Sequence, residues 1–451
     1  MFDSVQQRWV LEEKLIAALQ GRMNLLQPQK EREEVIDQEL AKLIDGDFKD
    51  LQDRLKNPVN RKKFIREFLG YGIITDLLRD IHVEDITINN LLPIYMHHSQ
   101  KGFISSGKQF QHRKELDIFI KKLLLFSGRG ATLDKIMNLE LPYLDGRVNI
   151  ALSPFGPQIT MAKAKVAPLS VIDLIRMGSL TAEVAALIWL YMEGLRIRPA
   201  NIMIAGGPGV GKTTFLNAVL SFVPDSDRLV VIEDTLELNT FLEESASRLE
   251  STADVTLADL VKNSLRMRPE RIVIGEVRGQ EARDMITACN VGKYCMGTIH
   301  ALTSREAIIR LQNEPMNIPE MLVSLIDVFI VLKRYHVQSR VFRVVDEVSE
   351  TSGMEQVKVL LANVYKYDYE KHQIRSMNPS TVYRDRLAQE AGWTPKQVIK
   401  EHYLRAFLLD QLDKRDMTTV KEVAVFCRAY SSDPDGTVTK LGYDRRQLLK
   451  D

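Results

Sequence analysis

Apolar and charged positions recur at helical spacing along residues 1–80, where Trp9, Leu15, Ala18 and Leu19 stand between charged neighbours. This predicts a helical N-terminal region. At EDITINN (Glu84–Asn90) the pattern changes to short β-type runs, continued by PIYMHH and GRVNIAL, with one amphipathic helix over about 113–126 between them. The two patterns predict an α+β domain over 81–165. APLSVIDLIRMGSLT (Ala167–Thr181) holds a proline, a glycine and two helix N-cap residues, Ser170 and Thr181. It predicts an interdomain linker at 166–181.

From Asn201 the pattern becomes strand, loop, helix, strand, repeated. NIMIAG, RLVVIED, RIVIGE and MGTIH are short β-rich runs with helical segments between several of them. That order implies βαβ units and a largely parallel sheet, so the fold class is α/β, with this core over 182–378. RVFRVVDEV and VKVLLANVYKYD follow DVFIVLKRY as alternating runs and predict an antiparallel extension of that sheet. The tail, 379–451, turns helical again, and Thr394-Pro395 is a good helix start. No internal repeat or low-complexity tract interrupts these patterns.

Composition narrows the class. A chain of 451 residues suggests two or three domains, and 45% hydrophobic with 27% charged residues is ordinary for a globular protein. A formal charge of +1 carries no electrostatic footprint for nucleic acid. Cys289, Cys295 and Cys427 form no CxxC pair, which fits a reducing cytoplasm and argues against a structural zinc module. Charges interrupt the apolar positions of Met1–Gly21, so no secretory signal is expected. The apolar run MLVSLIDVFIVL (Met321–Leu332) contains Asp327 and falls well short of the ~20 residues of a membrane helix. A soluble cytoplasmic protein is expected, held at a membrane only through partners.

GGPGVGKTT (Gly206–Thr214) matches GxxxxGK[ST], after an apolar strand and before a helical segment. In that order the backbone N–H groups around Gly206, Gly209 and Gly211, followed by Lys212, Thr213 and Thr214, cradle phosphates at a positive helix N-terminus. Lys212 would reach the β/γ oxygens and the Thr213 hydroxyl would ligate Mg²⁺. Two acidic strand ends follow, Glu233 with Asp234 after LVVI and Glu276 after RIVIG. Ligands of a parallel sheet sit outside the C-terminal strand edge, so both acids are expected to face the Lys212 loop. There they would order Mg²⁺ and its waters or polarise the attacking water. His300, at the end of MGTIH, has no cysteine partner at ligand spacing, which argues against metal binding. Capping of the strand is the bland reading. A sensor of the γ-phosphate that reports to a helix beginning at Ser304 is the favoured one.

Four segments, GGPGVGKTT, IEDTLEL, RMRPERIVIGEVRGQEA and CMGTIHALTSREAIIRL, resemble the motifs of the secretion ATPase superfamily. That superfamily powers type II and type IV secretion, type IV pili and archaeal surface filaments. GYGIITDLLRDIHVEDITIN, NEPMNIPEMLVSLIDVFIVLKR, VSETSGMEQVKVLLANVYKYDYEKHQI and PSTVYRDRLAQEAGWTP are similar to its archaeal branch, the archaellum motor ATPase and archaeal pilus-assembly relatives. The resemblance covers about residues 64–450.

It implies a RecA-like P-loop NTPase core preceded by an α+β domain and followed by a helical tail, assembled as a homo-hexamer. It also implies ATP and Mg²⁺ as cofactors, a polytopic membrane platform protein and filament accessory proteins as partners, and no nucleic acid. Lys212, Thr213, Glu233, Glu276 and His300 match the family's P-loop lysine and threonine, acidic box, Walker B glutamate and histidine box. Gly275 stands where many other P-loop proteins carry the Walker B aspartate. Arg147, in DGRVN, matches an arginine the family sets against the phosphates, but Ala162 replaces the second, with Lys163 beside it. Arg266, Arg268 and Arg278 are further cationic candidates.

A nucleic-acid-translocating motor on the same type of core is the alternative function, weakened by the neutral charge and the lack of a basic–aromatic stripe. A GTPase would need an NKxD motif. A bacterial secretion ATPase with a zinc insert would need four clustered cysteines.

Overall fold

The computed structural model describes residues 2–449 except 25–26, 48–53, 99–100, 129–133, 142–145, 164–167, 239–244, 253, 338–339, 356–357 and 380–381. The chain forms two compact units, Met1–Ala167 and Pro168–Asp451. No helix among the described residues is long and apolar enough to cross a membrane.

The N-terminal unit begins with helices Phe2–Ala18, Gln29–Asp47 and Pro58–Leu69, then the short helix Thr75–Arg79. Asn57 caps the third of these, accepting from the Val59 N–H, and Pro58 sits where a missing N–H costs nothing. Six strands follow: β1 (Val83–Asn89), β2 (Tyr95–His98), β3 (Gly102–Ser105), β4 (Ile136–Leu141), β5 (Gly146–Ser153) and β6 (Gly156–Ala162). They form one antiparallel sheet in the order β3-β2-β1-β6-β5-β4. Helix Arg113–Phe126 buries Leu116, Phe119, Ile120 and Leu123 in a core shared with Leu11, Leu15, Phe68, Ile86 and Ile150. The helical region and the sheet thus share one core. β3, β4 and β6 went unread in the sequence; β6 does alternate buried and exposed positions along its length.

The second unit opens with Ser170, whose hydroxyl accepts from the Asp173 N–H and starts helix Val171–Arg176. Thr181 likewise starts helix Ala182–Glu193. Nine strands follow: β7 (Ile202–Gly206), β8 (Leu229–Glu233), β9 (Ala246–Glu250), β10 (Arg271–Ile274), β11 (Tyr294–Ile299), β12 (Val328–Val337), β13 (Arg340–Glu355), β14 (Lys358–Asp368) and β15 (Gln373–Ser376). Their order is β15-β14-β13-β12-β7-β11-β10-β8-β9. From β12 to β9 every neighbouring pair is parallel, and β12 through β15 pair antiparallel.

Every residue of β7, β8 and β10 is buried, which is why each reads as a continuous apolar run. Strand alternation splits β7 between two cores. Ile202 and Ile204 pack toward helix Ala182–Glu193 and the C-terminal helices, and Met203 and Ala205 toward the helices at 257–264, 281–290 and 304–312. The architecture is the expected α/β one: a RecA-like core after an α+β unit, followed by helices. The tail is tied to the core by Arg405, fully buried between Glu193 and Glu401, with its guanidinium 4.6 Å from the Trp189 ring.

Candidate nucleotide site

β7 ends at Gly206, and helix Lys212–Val219 begins six residues later. A side chain at Gly206 would collide with Val210 Cγ2 and the Leu332 carbonyl, so the loop can close on itself only with glycine there. Gly209 and Gly211 hold φ of +69° and +94°, the left-handed conformation that turns the loop back over the helix end. Gly211 offers no side-chain cap, so the first N–H groups of the helix are left for an external acceptor. Thr213 and Thr214, both half-buried, occupy its first turn.

Lys212 is buried, and its ammonium donates to the Gly206 carbonyl at 3.0 Å, the Gly207 carbonyl at 3.1 Å and His300 Nδ1 at 3.3 Å. Burial lowers its pKa, with Glu276 opposing. An Nδ1 that accepts from lysine leaves the proton of the neutral ring on Nε2. Nε2 lies 3.3 Å from Glu276 Oε1. Desolvation and the Lys212 charge lower the His300 pKa, again against Glu276, so the ring favours the neutral form this geometry requires. The arrangement is a relay: ammonium, imidazole, carboxylate.

Glu276 is held by the strand that carries His300. Thr298 of β11 grips the chain on both sides of it, its hydroxyl donating to the Gly275 carbonyl at 2.6 Å and its own carbonyl accepting from the Val277 N–H at 2.7 Å. The His300 carbonyl accepts from Arg310 on helix Ser304–Gln312, whose start is capped by Thr303. Arg310 thus ties the backbone at His300 to that helix.

The structure corrects one expectation. Glu233 does not join Glu276 in facing Lys212 among the described contacts. Its carboxylate folds back on its own loop and accepts from the N–H groups of Glu237 at 3.0 Å and Leu238 at 3.1 Å. A turn that leaves two backbone donors open next to a buried acid captures that acid first. Burial pushes the Glu233 carboxyl up to about 7, against those donors and Arg248 at 3.8 Å. Glu233 also accounts for Gly275, since a Cβ there would press on Glu233 Cγ at 3.0 Å.

A carboxyl whose folded pKa is raised contributes stability that is complete below its unfolded value of 4.5 and is lost as pH rises through about 7. The loss expected between pH 4.5 and 8 is on the order of 3 kcal/mol. Glu233→Gln should flatten that part of the pH profile of thermal stability. An unchanged profile in the variant would show that another group titrates.

Among the other candidates, Arg278 pairs with Asp234, which also accepts from Ser251 at 2.7 Å. Arg266 and Arg268 are exposed, Arg268 with a left-handed backbone. In the N-terminal unit Arg147 lies on β5 opposite Ala162 of β6. The Lys163 ammonium donates to the Asp80 carbonyl at 2.8 Å, within its own unit.

Two cations escaped the sequence reading. Arg343 Nε donates to the Gly209 carbonyl at 3.1 Å, and Arg334 Nη1 lies 3.7 Å from where a Gly209 side chain would begin. They face each other across the β12–β13 pair. Only that register brings them to one loop.

No group of three or more His, Cys, Asp and Glu that could hold a metal alone is found among the described residues. The site still fits Mg²⁺ as companion to a phosphate ligand: the Thr213 hydroxyl at the helix start would hold it, and Glu276, linked to Lys212 through His300, would act through water. When bound, the ion would neutralise phosphate charge.

A glycine loop that opens a helix at the C-terminal edge of a parallel sheet, with lysine, histidine and glutamate joined behind it, defines a P-loop NTPase core of the RecA type. The sequence profile described as "Type II/IV secretion system protein" matches residues 133–361, half of the chain. The protein MJ0900 of Methanocaldococcus jannaschii is 30% identical over 392 residues, spanning 82% of this chain and 70% of that one. The probable conjugal transfer protein TrbB of Sinorhizobium fredii is 29% identical over 295 residues, 62% of this chain and 88% of its own. The ATPase DotB of Yersinia pseudotuberculosis, a solved structure, shares 17% identity over 79% of this chain and 92% of its own, with a TM-score of 0.45. The chain belongs to the type II/IV secretion system protein family.

Proposed function

We propose that the protein is a Mg²⁺-dependent ATPase, converting ATP to ADP and phosphate, and that it powers assembly of an archaeal type IV-like surface filament, an archaellum or a pilus. The observation that carries this reading is the Lys212–His300–Glu276 relay behind the glycine loop, in a member of the type II/IV secretion family. The resemblance to archaellum and pilus motors supplies the filament. The long alignment with an archaeal relative supports that branch.

In this reading the loop N–H groups and Lys212 hold the β- and γ-phosphates, and Thr213 holds Mg²⁺. Glu276 polarises the attacking water. His300 senses the γ-phosphate: a phosphate oxygen that draws the Lys212 ammonium away leaves Nδ1 without its donor, and helix Ser304–Gln312 feels the change through Arg310. Arg147 is the proposed N-terminal cation for the transferred phosphate. Glu233 has a supporting role, fixing the loop after β8.

The working form proposed is a cytoplasmic homo-hexamer at the inner face of the membrane, bound to a polytopic platform protein and filament accessory proteins. Deleting the gene and counting surface filaments by electron microscopy tests the function. Filaments should vanish and return with the wild-type gene but not with Glu276→Gln. Normal filaments in the deletion strain would contradict the proposal.

Ala162 makes a second prediction. If a missing cation limits the reaction, Ala162→Arg should raise kcat several-fold. Lys163→Ala should leave it unchanged, because Asp80 already engages that ammonium. Collapse of turnover in Lys163→Ala would show that lysine has taken over the arginine's role.

A further inference from the structure

The N-terminal unit contains an open cavity of about 660 Å³ that the nucleotide chemistry does not use. Arg8, Lys62, Lys63, Arg66 and Arg79 line it, with Glu67 as the one acid among the described lining residues. Helix Pro58–Leu69 presents Lys62, Lys63 and Arg66 on adjoining turns, and Arg8 and Arg79 arrive from two other helices. The charges therefore converge from three elements rather than lying along one solvated face.

The described negative groups nearby are already engaged, Glu12 with Arg8 at 2.9 Å among them. Glu67 is 2.8 Å from Arg8 and 3.9 Å from Lys63. The Asp76 carboxylate is held by Lys108. At the rim, the Arg66 carbonyl accepts from the Gly70 N–H at 3.0 Å, the Gly70 carbonyl from Lys122 at 3.1 Å and the Gly72 carbonyl from the Thr75 hydroxyl at 2.8 Å. Lys62 and Arg66 form no salt bridge among the described residues, while the Arg79 charge acts on the Asp76 carboxylate that Lys108 holds. Like charges gathered in a concave wall focus a positive potential, and guanidinium groups match phosphate oxygens two at a time. The volume is that of a small-ligand site.

We propose that this cavity binds a phosphate-bearing anion, independently of the P-loop. Such an anion can be a free phosphate compound or the head group of an anionic lipid, and the two sources share the chemistry that the cavity recognises. Bound lipid would bring this unit to a membrane surface without a spanning helix.

The test uses the full chain with the P-loop filled by a non-hydrolysable ATP analogue and Mg²⁺, and repeats it in Lys212→Ala so that phosphate captured by that loop is subtracted. One arm titrates inorganic pyrophosphate by calorimetry. The other floats the protein with vesicles of phosphatidylglycerol and phosphatidylcholine, against phosphatidylcholine alone. Wild type should bind at least one probe, more weakly as salt rises. Lys62→Ala/Arg66→Ala, at two exposed positions, should weaken that binding roughly tenfold or more, and Arg79→Ala by a smaller factor. Binding of pyrophosphate alone would assign the free compound, and binding of anionic vesicles alone the lipid head group. Failure of both probes, or equal binding by wild type and both variants with circular dichroism unchanged, would overturn the proposal.

Discussion

Lys212→Ala is expected to cut ATP turnover about a thousandfold or more while the protein stays folded. The ammonium is held inside the loop on the Gly206 and Gly207 carbonyls, and removing one preorganised donor from such a site costs roughly 10²–10³ in rate. Lys212 also carries charge to the γ-phosphate, which raises the expected loss. The fold should survive because β7 and the helix after the loop are anchored by Ile202, Ile204, Phe215 and Leu216, all buried. Steady-state phosphate release and circular dichroism on the pure variant check both halves. Wild-type turnover would remove the glycine loop from the mechanism.

Glu276→Gln is expected to keep ATP affinity within a few-fold and lower kcat by roughly 10²–10³. Glutamine preserves the shape facing His300 Nε2 and removes the charge that polarises water. It also removes the one group that opposes the lowering of the His300 pKa, so the imidazole stays neutral to still lower pH. His300→Ala should cost less than either change, about tenfold, because it cuts the link without removing the charge at either end. Loss of ATP binding in Glu276→Gln, with the fold intact, would make the glutamate a binding residue instead.

How much of this could be read from the sequence depends on how local the physics is. The glycine loop was legible because Gly206, Gly209 and Gly211 each answer a backbone demand within nine residues. β7, β8 and β10 were legible because strands buried on both faces leave unbroken apolar runs. The caps at Ser170, Thr181 and Thr394 rest on side chains that bond three residues on. β9, in contrast, is an edge strand of half-buried and exposed residues with no apolar run to announce it.

The site divides along the same line. That Glu233 and Glu276 follow strands of one sheet was legible in the pattern. That Glu233 turns back to its own loop did not, because the turn's open N–H groups are a property of its conformation. The Lys212–His300 contact spans 88 positions, and the approach of Arg343 to Gly209 spans 134. Both exist only once β7, β11, β12 and β13 are neighbours. Sequence supplied the residue types, and sheet order supplied their meeting.

Hydrolysis at this site is tested most directly by phosphate release from the purified wild-type chain supplied with ATP and Mg²⁺, followed over many turnovers and repeated with EDTA. ADP and phosphate are expected in equal amounts, well in excess of protein, with release abolished by EDTA. ATP bound but not hydrolysed over the same period, in protein shown to be folded and assembled, would contradict it.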